Sequence, residues 1–157
     1  MRLATAIQLA WLRVVDVFRS RKRINQQIEH AEARLLNLPQ VDMPLVHRFA
    51  PGVYFREITM PAGTFIIGQE HRTRHFNVVL SGRARVMIDG KVEEISAPSV
   101  FVSEPGVRKV LFIQETMRWA TIHATNETDV PTLERVLVRR SKCWINSQEM
   151  KQLEEAT

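Results

Sequence analysis

The chain has 157 residues, 45% of them hydrophobic and 25% charged, with a formal net charge of +5. That length suits one domain with an appendage, and the composition excludes wholesale disorder. A single cysteine, Cys143, excludes an internal disulfide and a cysteine-built structural zinc, and it fits a reducing compartment.

The opening "MRLATAIQLAWLRVVDVF" is apolar, but Arg13 and Asp16 interrupt it. The uninterrupted run is shorter than the ~18 residues a membrane span needs, and no cleavage site follows. The sequence therefore predicts neither an export signal nor a transmembrane helix, and it places the protein in the cytoplasm as synthesised.

Residues 3–38 lack Gly and Pro, and their apolar positions step alternately by four and three. With Ile7 at heptad position a, the a series is Ile7, Val14, Arg21, Ile28 and Leu35. The d series is Leu3, Ala10, Val17, Ile24, Ala31 and Leu38. This pattern predicts a long amphipathic helix that stops at Pro39. Sustained a/d periodicity is a coiled-coil signal, whereas Trp11 and Phe18 at e positions widen the stripe toward packing on the chain's own domain. As an oligomerising or docking helix, the arm would present Leu3, Ile7, Ala10, Trp11, Val14, Val17, Phe18, Ile24, Ile28 and Leu35. The basic runs "RSRKR" (19–23) and "VRRSK" (138–142) read as solvated faces, so nucleic acid is not expected as a specific partner.

After Pro39 the texture changes to short runs rich in Val, Ile, Phe and Thr. Strands are expected at 53–60, 64–68, 75–80, 83–88, 91–95, 99–103, 109–113 and 118–125, with two-residue hairpin turns at "SG" (81–82) and "DG" (89–90). Many short strands at close spacing indicate an antiparallel sandwich or barrel. "NETD" (126–129) reads as a turn or cap, and the last segment as a helical turn or strand followed by a charged helical tail. The expected organisation is a helical arm over 1–40, a β-barrel over 41–130 and a C-terminal extension over 131–157.

The chemistry-bearing stretch is "GTFIIGQEHRTRHFNVVLSG", residues 63–82. Period-two alternation puts His75, Asn77 and Val79 on one face, and Thr121, His123 and Thr125 on one face of a later strand. If His71, His75 and His123 point inward, they form a three-histidine metal site with open positions. The bland alternative is a satisfied polar network inside the barrel or at its mouth.

The spacing resembles the first motif of the cupin superfamily: Gly, five residues, His, one residue, His, three residues, Glu, six residues, Gly. Gly63 and Gly82 occupy the glycine positions, Gln69 stands in the first histidine slot, His71 in the second, and His75 in the glutamate slot. "SEPGVRKV" is similar to the second motif, with Gly106 in its glycine slot, Lys109 in its histidine slot and the proline displaced to Pro105. The resemblance implies a mainly β fold, a small jelly-roll barrel with the N-terminal helix and a short helical tail attached. It does not carry over the family's ligand set, because a lysine ammonium in the last slot opposes a cation.

Three functions are compatible with this reading. The first is a non-enzymatic structural or assembly protein, a homo-oligomer or part of a larger assembly through its helical arm, with no cofactor expected. "HRTRHFNVVLSGRARV", "FVSEPGVRKVLF" and "WATIHATNETD" are similar to small cupin-like proteins of tailed phages, which implies a virion role in a tail or neck. The second is a metal-dependent oxygenase or isomerase, with a divalent transition metal on His71, His75 and His123. The third is a binding module for a small ligand or glycan, with Gln69, His71, His75, Asn77, Lys109 and His123 around the pocket and an acidic ligand favoured by Arg108 and Lys109.

Overall fold

The computed structural model describes residues 22–156, apart from the side chain of Glu154. Leu3, Ile7, Ala10, Trp11, Val14, Val17 and Phe18 lie outside the described residues.

Helix α1 covers described residues 22–35, and Pro39 follows its last turn. Its apolar stripe is used on the chain's own barrel. Ile28 is buried, and Ile24 lies over Gly90 so closely that a Cβ there would come within 2.9 Å of its Cδ1. Glu32 is buried on the same face and accepts a 2.9 Å hydrogen bond from Arg108. Leu35 is half-buried. The described part of the arm thus packs on its own domain.

Then follow β1 (Leu45–Ala50), β2 (Val53–Met60), β3 (Phe65–Ile67), β4 (Glu70–His71), β5 (His75–Ile88), β6 (Lys91–Ser96), β7 (Ser99–Ser103), β8 (Lys109–Ala124), α2 (Val130–Leu137), β9 (Val138–Arg139) and α3 (Lys142–Glu155). The class is mainly β and antiparallel, with helices at both ends of the described chain, as expected. β5 and β8 pair along most of their length, but their other neighbours change partway. The first half of β5 meets β7, and the second half of β8 meets β2, which β1 extends. The second half of β5 meets β6, and the first half of β8 meets β3. Both long strands therefore serve two walls of a flattened barrel, the arrangement of a jelly roll.

That change of wall happens where a hairpin turn was expected. Instead of reversing at 81–82, the chain runs on through β-bulges between Val79 and Ala84. Gly82 has φ +85°, and a Cβ there would collide with the backbone oxygen of Thr116 and the Cα of Met117. Glycine marks a strand bend with a crossing backbone, one of the two meanings such a residue carries inside a strand. The other signal holds: Asp89 and Gly90 both have positive φ and join β5 to β6.

Between the walls, Met60, Val79, Ala84, Val86, Ile95, Leu111, Ile113, Met117 and Trp119 form one apolar core. A second, smaller cluster joins Tyr54 of β2 to Leu133 and Leu137 of α2. Asp129, the last residue of "NETD", caps α2 by accepting from the Thr132 N–H at 2.9 Å. β1, β4 and β9 were not expected from the sequence. The pairing of β9 with β4 brings the last segment back onto the barrel.

Candidate metal centre

The three histidines reach one place by three routes. β5 begins at His75 and carries its ring inward in the same alternation that buries Asn77 and Val79. β8 carries His123 inward with Thr121 and Trp119, opposite Tyr54 in the register with β2. His71 sits on the two-residue β4, opposite Val138 of β9, with its strand neighbour Glu70 bonded to Arg139 at 3.1 Å. Each of the three offers a ring nitrogen, and those atoms lie within 4.8 Å of one another.

His123 stacks on both His71 and His75, whose own rings are tilted by 32° to each other. Centroids are 4.2 Å apart for His71 and His75, 5.2 Å for His71 and His123, and 4.8 Å for His75 and His123. Burial is the main force on their charge. It lowers the His71 pKa from 6.5 to about 2 and that of His123 to about 4, and it lowers that of His75 as well, against a hydrogen bond to the Thr73 carbonyl. Protonating one ring also repels the next, and Lys109 adds to that repulsion. At neutral pH all three are neutral imidazoles, each with one ring nitrogen that carries a lone pair.

Hydrogen bonding determines which nitrogen is free. His75 Nδ1 lies 2.9 Å from the Thr73 carbonyl oxygen, which can only accept, so Nδ1 carries the proton and Nε2 keeps the lone pair. That Nε2 is buried and has no hydrogen-bond partner among the described residues, and the same holds for His71 Nδ1. His123 Nδ1 lies 3.4 Å from the Thr73 hydroxyl. Tyr54, stacked 6.0 Å from His123, bonds its hydroxyl to His47 Nδ1 at 2.7 Å and closes that side.

A cavity of about 210 Å³ adjoins the triad at His71. Gln69, Asn77 and Lys109 line it, so the structure brings all six sequence-derived pocket residues to one end of the barrel. Their roles differ. The Asn77 amide is occupied, donating to Ser103 Oγ at 2.9 Å and accepting from Trp119 Nε1 at 3.1 Å, whereas Gln69 Oε1 is buried without a partner. Burial lowers Lys109 to about 8, leaving it mostly an ammonium at neutral pH. Arg108 does not face this cavity; it bridges Glu32 of α1 and the Gly68 carbonyl.

Sequence reasoning missed Arg56, Thr121, Glu134 and Arg140, which also line the cavity. Arg56 had a signal. It falls between Tyr54 and Ile58 on the inward face of β2, a charge on an apolar stripe. Glu134 and Arg140 lie on α2 and just beyond β9, and no periodicity in the barrel strands points to them.

No protein-family model matches the chain, and no curated protein matches it either. Among solved structures it is similar to the cupin domain of Schizosaccharomyces pombe Cnp3, with 20% identity over 63% of this chain and 77% of that one and a TM-score of 0.44. A cupin superfamily protein from Desulfitobacterium hafniense shares 11% identity over 60% and 87% of the two chains, with a TM-score of 0.47. The cupin domain of an XRE family transcriptional regulator from Enterobacter cloacae shares 13% over 54% and 98%, with a TM-score of 0.46.

Proposed function

We propose that the barrel holds a divalent transition-metal ion on His71, His75 and His123 and uses it on a small molecule in the adjoining cavity, the metal-dependent enzyme reading of the sequence. One observation carries this: two imidazole nitrogens, His71 Nδ1 and His75 Nε2, are buried with no hydrogen-bond partner, beside a third histidine. A buried polar atom without a partner costs about 1–3 kcal/mol, and a metal ion removes that cost for both.

The donor set fits a borderline ion, since neutral imidazole suits Zn, Fe, Ni and Cu. The Thr73 carbonyl orients His75 in the way that ligating histidines are held by a second hydrogen bond. The three offered nitrogens lie within 4.8 Å of one another, so His71, His75 and His123 are the residues that would hold the ion. When bound, such an ion supplies Lewis acidity, with positions left open by three protein ligands. The chain's own contribution is a fixed proton on His75 Nδ1 and the cover that Tyr54, itself packed on Leu133 and Leu137, gives His123.

The assembly reading rests on a helical arm most of whose named positions lie outside the described residues, and of the three described ones, Ile24, Ile28 and Leu35, the first two serve the barrel. Nothing among the described residues favours a virion role. No helix there is long and apolar enough to cross a membrane.

Equilibrium dialysis against zinc, nickel and cobalt tests the metal site. The full chain is expected to take up one equivalent, and His75→Ala and His123→Ala to weaken uptake at least 100-fold. Uptake unchanged in both variants refutes it.

A further inference from the structure

Beside the histidines, the cavity holds cationic groups that metal binding leaves unused. Register places Arg56 of β2 opposite Thr121 of β8, and Thr121 opposite Asn77 of β5. This row lies one inward step from the row of Tyr54 and His123. Arg56 is therefore a near neighbour of the triad, and Lys109 enters the same cavity from the start of β8.

Nearby carboxylates are engaged elsewhere. Glu134 lines the cavity and attracts Arg56 across it, but its ion pair is with Arg140, whose own charge opposes that attraction. Glu57 points outward between Arg48 and Arg118, and Glu70 pairs with Arg139. Asp89 attracts the Lys109 ammonium, but not enough to offset its burial. Arg56 makes no ion pair among the described residues, and its Nε is buried without a hydrogen-bond partner. Gln69 Oε1 and Thr121 Oγ1 in the same wall are also unpartnered. The Arg56 side chain is half-buried, its Nε fully so, and a guanidinium's planar fork matches a carboxylate with two parallel hydrogen bonds. The remaining wall is apolar, formed by Ile58, Met60, Leu111 and Trp119.

The geometry points to a small carboxylic acid with an apolar body as the molecule this cavity takes. Its carboxylate sits on Arg56 with Lys109 as the second cation, its body lies against Met60, Leu111 and Trp119, and any hydroxyl or amide it carries meets Gln69 and Thr121. A volume of about 210 Å³ keeps it smaller than the drug-sized ligands of larger pockets. This deepens the metal-site reading and rests on it only for the acid's position beside His71. An acid there also offsets the repulsion that Lys109 exerts on a bound cation.

Benzoate and isobutyrate, with benzamide as the neutral counterpart of benzoate, serve as probes by calorimetry on the full chain, metal-free and zinc-loaded. The expected result is saturable one-to-one binding of at least one acid, at least tenfold weaker binding of benzamide than of benzoate, and at least tenfold loss of acid binding in Arg56→Gln with zinc affinity kept. Lys109→Met gives a second reading, a smaller loss, should Arg56→Gln fail to fold. Equal affinity for benzoate and benzamide, or no saturable acid binding in either state, overturns the proposal. Zinc titration of the same samples separates the two readings. Zinc without acid binding removes the acid pocket alone, and acid without zinc binding removes the metal site alone.

Discussion

The two ends of the barrel interior follow opposite rules. At one end Ile113, Met117, Ala84 and Val86 are fully buried and apolar, and the nearest polar groups, Trp119 Nε1 and the Asn77 amide, satisfy each other. Among the described residues, five of the eight buried polar atoms without a partner gather at the other end, on His71, His75, Arg56, Gln69 and Thr121, and the remaining three are spread over Glu32, Arg83 and Gln114. Native interiors keep such atoms to a few per hundred residues. One end is packed for stability, and the other carries a concentration of unpartnered polar atoms, which the proposed metal ion and acid would satisfy.

Substitutions at the two ends should therefore separate stability from binding. Ile113→Ala is expected to cost about 2–5 kcal/mol by opening a cavity in the core, read as a lower denaturation midpoint with metal uptake per folded molecule unchanged. Asn77→Ala strands the buried Trp119 N–H and is expected to cost about 1–3 kcal/mol. His71→Ala belongs to the other end: it removes a ring nitrogen that already lacks a partner, so no hydrogen bond is lost and the metal-free protein should lose under about 1 kcal/mol while metal affinity collapses. A loss for His71→Ala as large as that for Ile113→Ala would break the comparison.

Acid sharpens it. His71, His75 and His123 are held neutral in the folded chain, with His123 lowered to about 4 and His71 to about 2, whereas the unfolded chain takes up protons below 6.5. Their stabilising contribution is full above pH 6.5 and is lost as pH falls from there toward 4 and 2. Lys109, lowered from 10.5 to about 8, adds a smaller gain as pH rises between those values. Denaturant midpoints of metal-free protein at pH 7.5, 5.5 and 4.5 should fall in that order. A flat profile would show that these rings are not held neutral.

Alternation made much of this legible in the sequence. It placed His75 with Asn77 and His123 with Thr121 before any strand had a partner, and Asp89-Gly90 announced its hairpin. Three things escaped it. Ser81-Gly82 has the composition of a turn, but what demands glycine there is the backbone of Thr116 and Met117 crossing from β8, a tertiary fact. β4 and β9 are two residues each and show no period. Arg56 was readable as a charge on an inward face, yet that it has no ion pair among the described residues is something only the assembled barrel reveals. The cupin-like spacing supplied the frame of Gly63, His71, His75 and Gly82, while His123 comes from the strand pattern.

The central claim is that the unpartnered histidine nitrogens await a metal ion, and thermal melting of the full chain with and without chelator tests it most directly. Ion at a hundred times its dissociation constant stabilises the fold by about 2.7 kcal/mol. The account predicts a clear drop in Tm when chelator strips the protein, restored by zinc or nickel and absent in His75→Ala. An unchanged Tm in chelator, with less than stoichiometric metal in the purified protein, would contradict it.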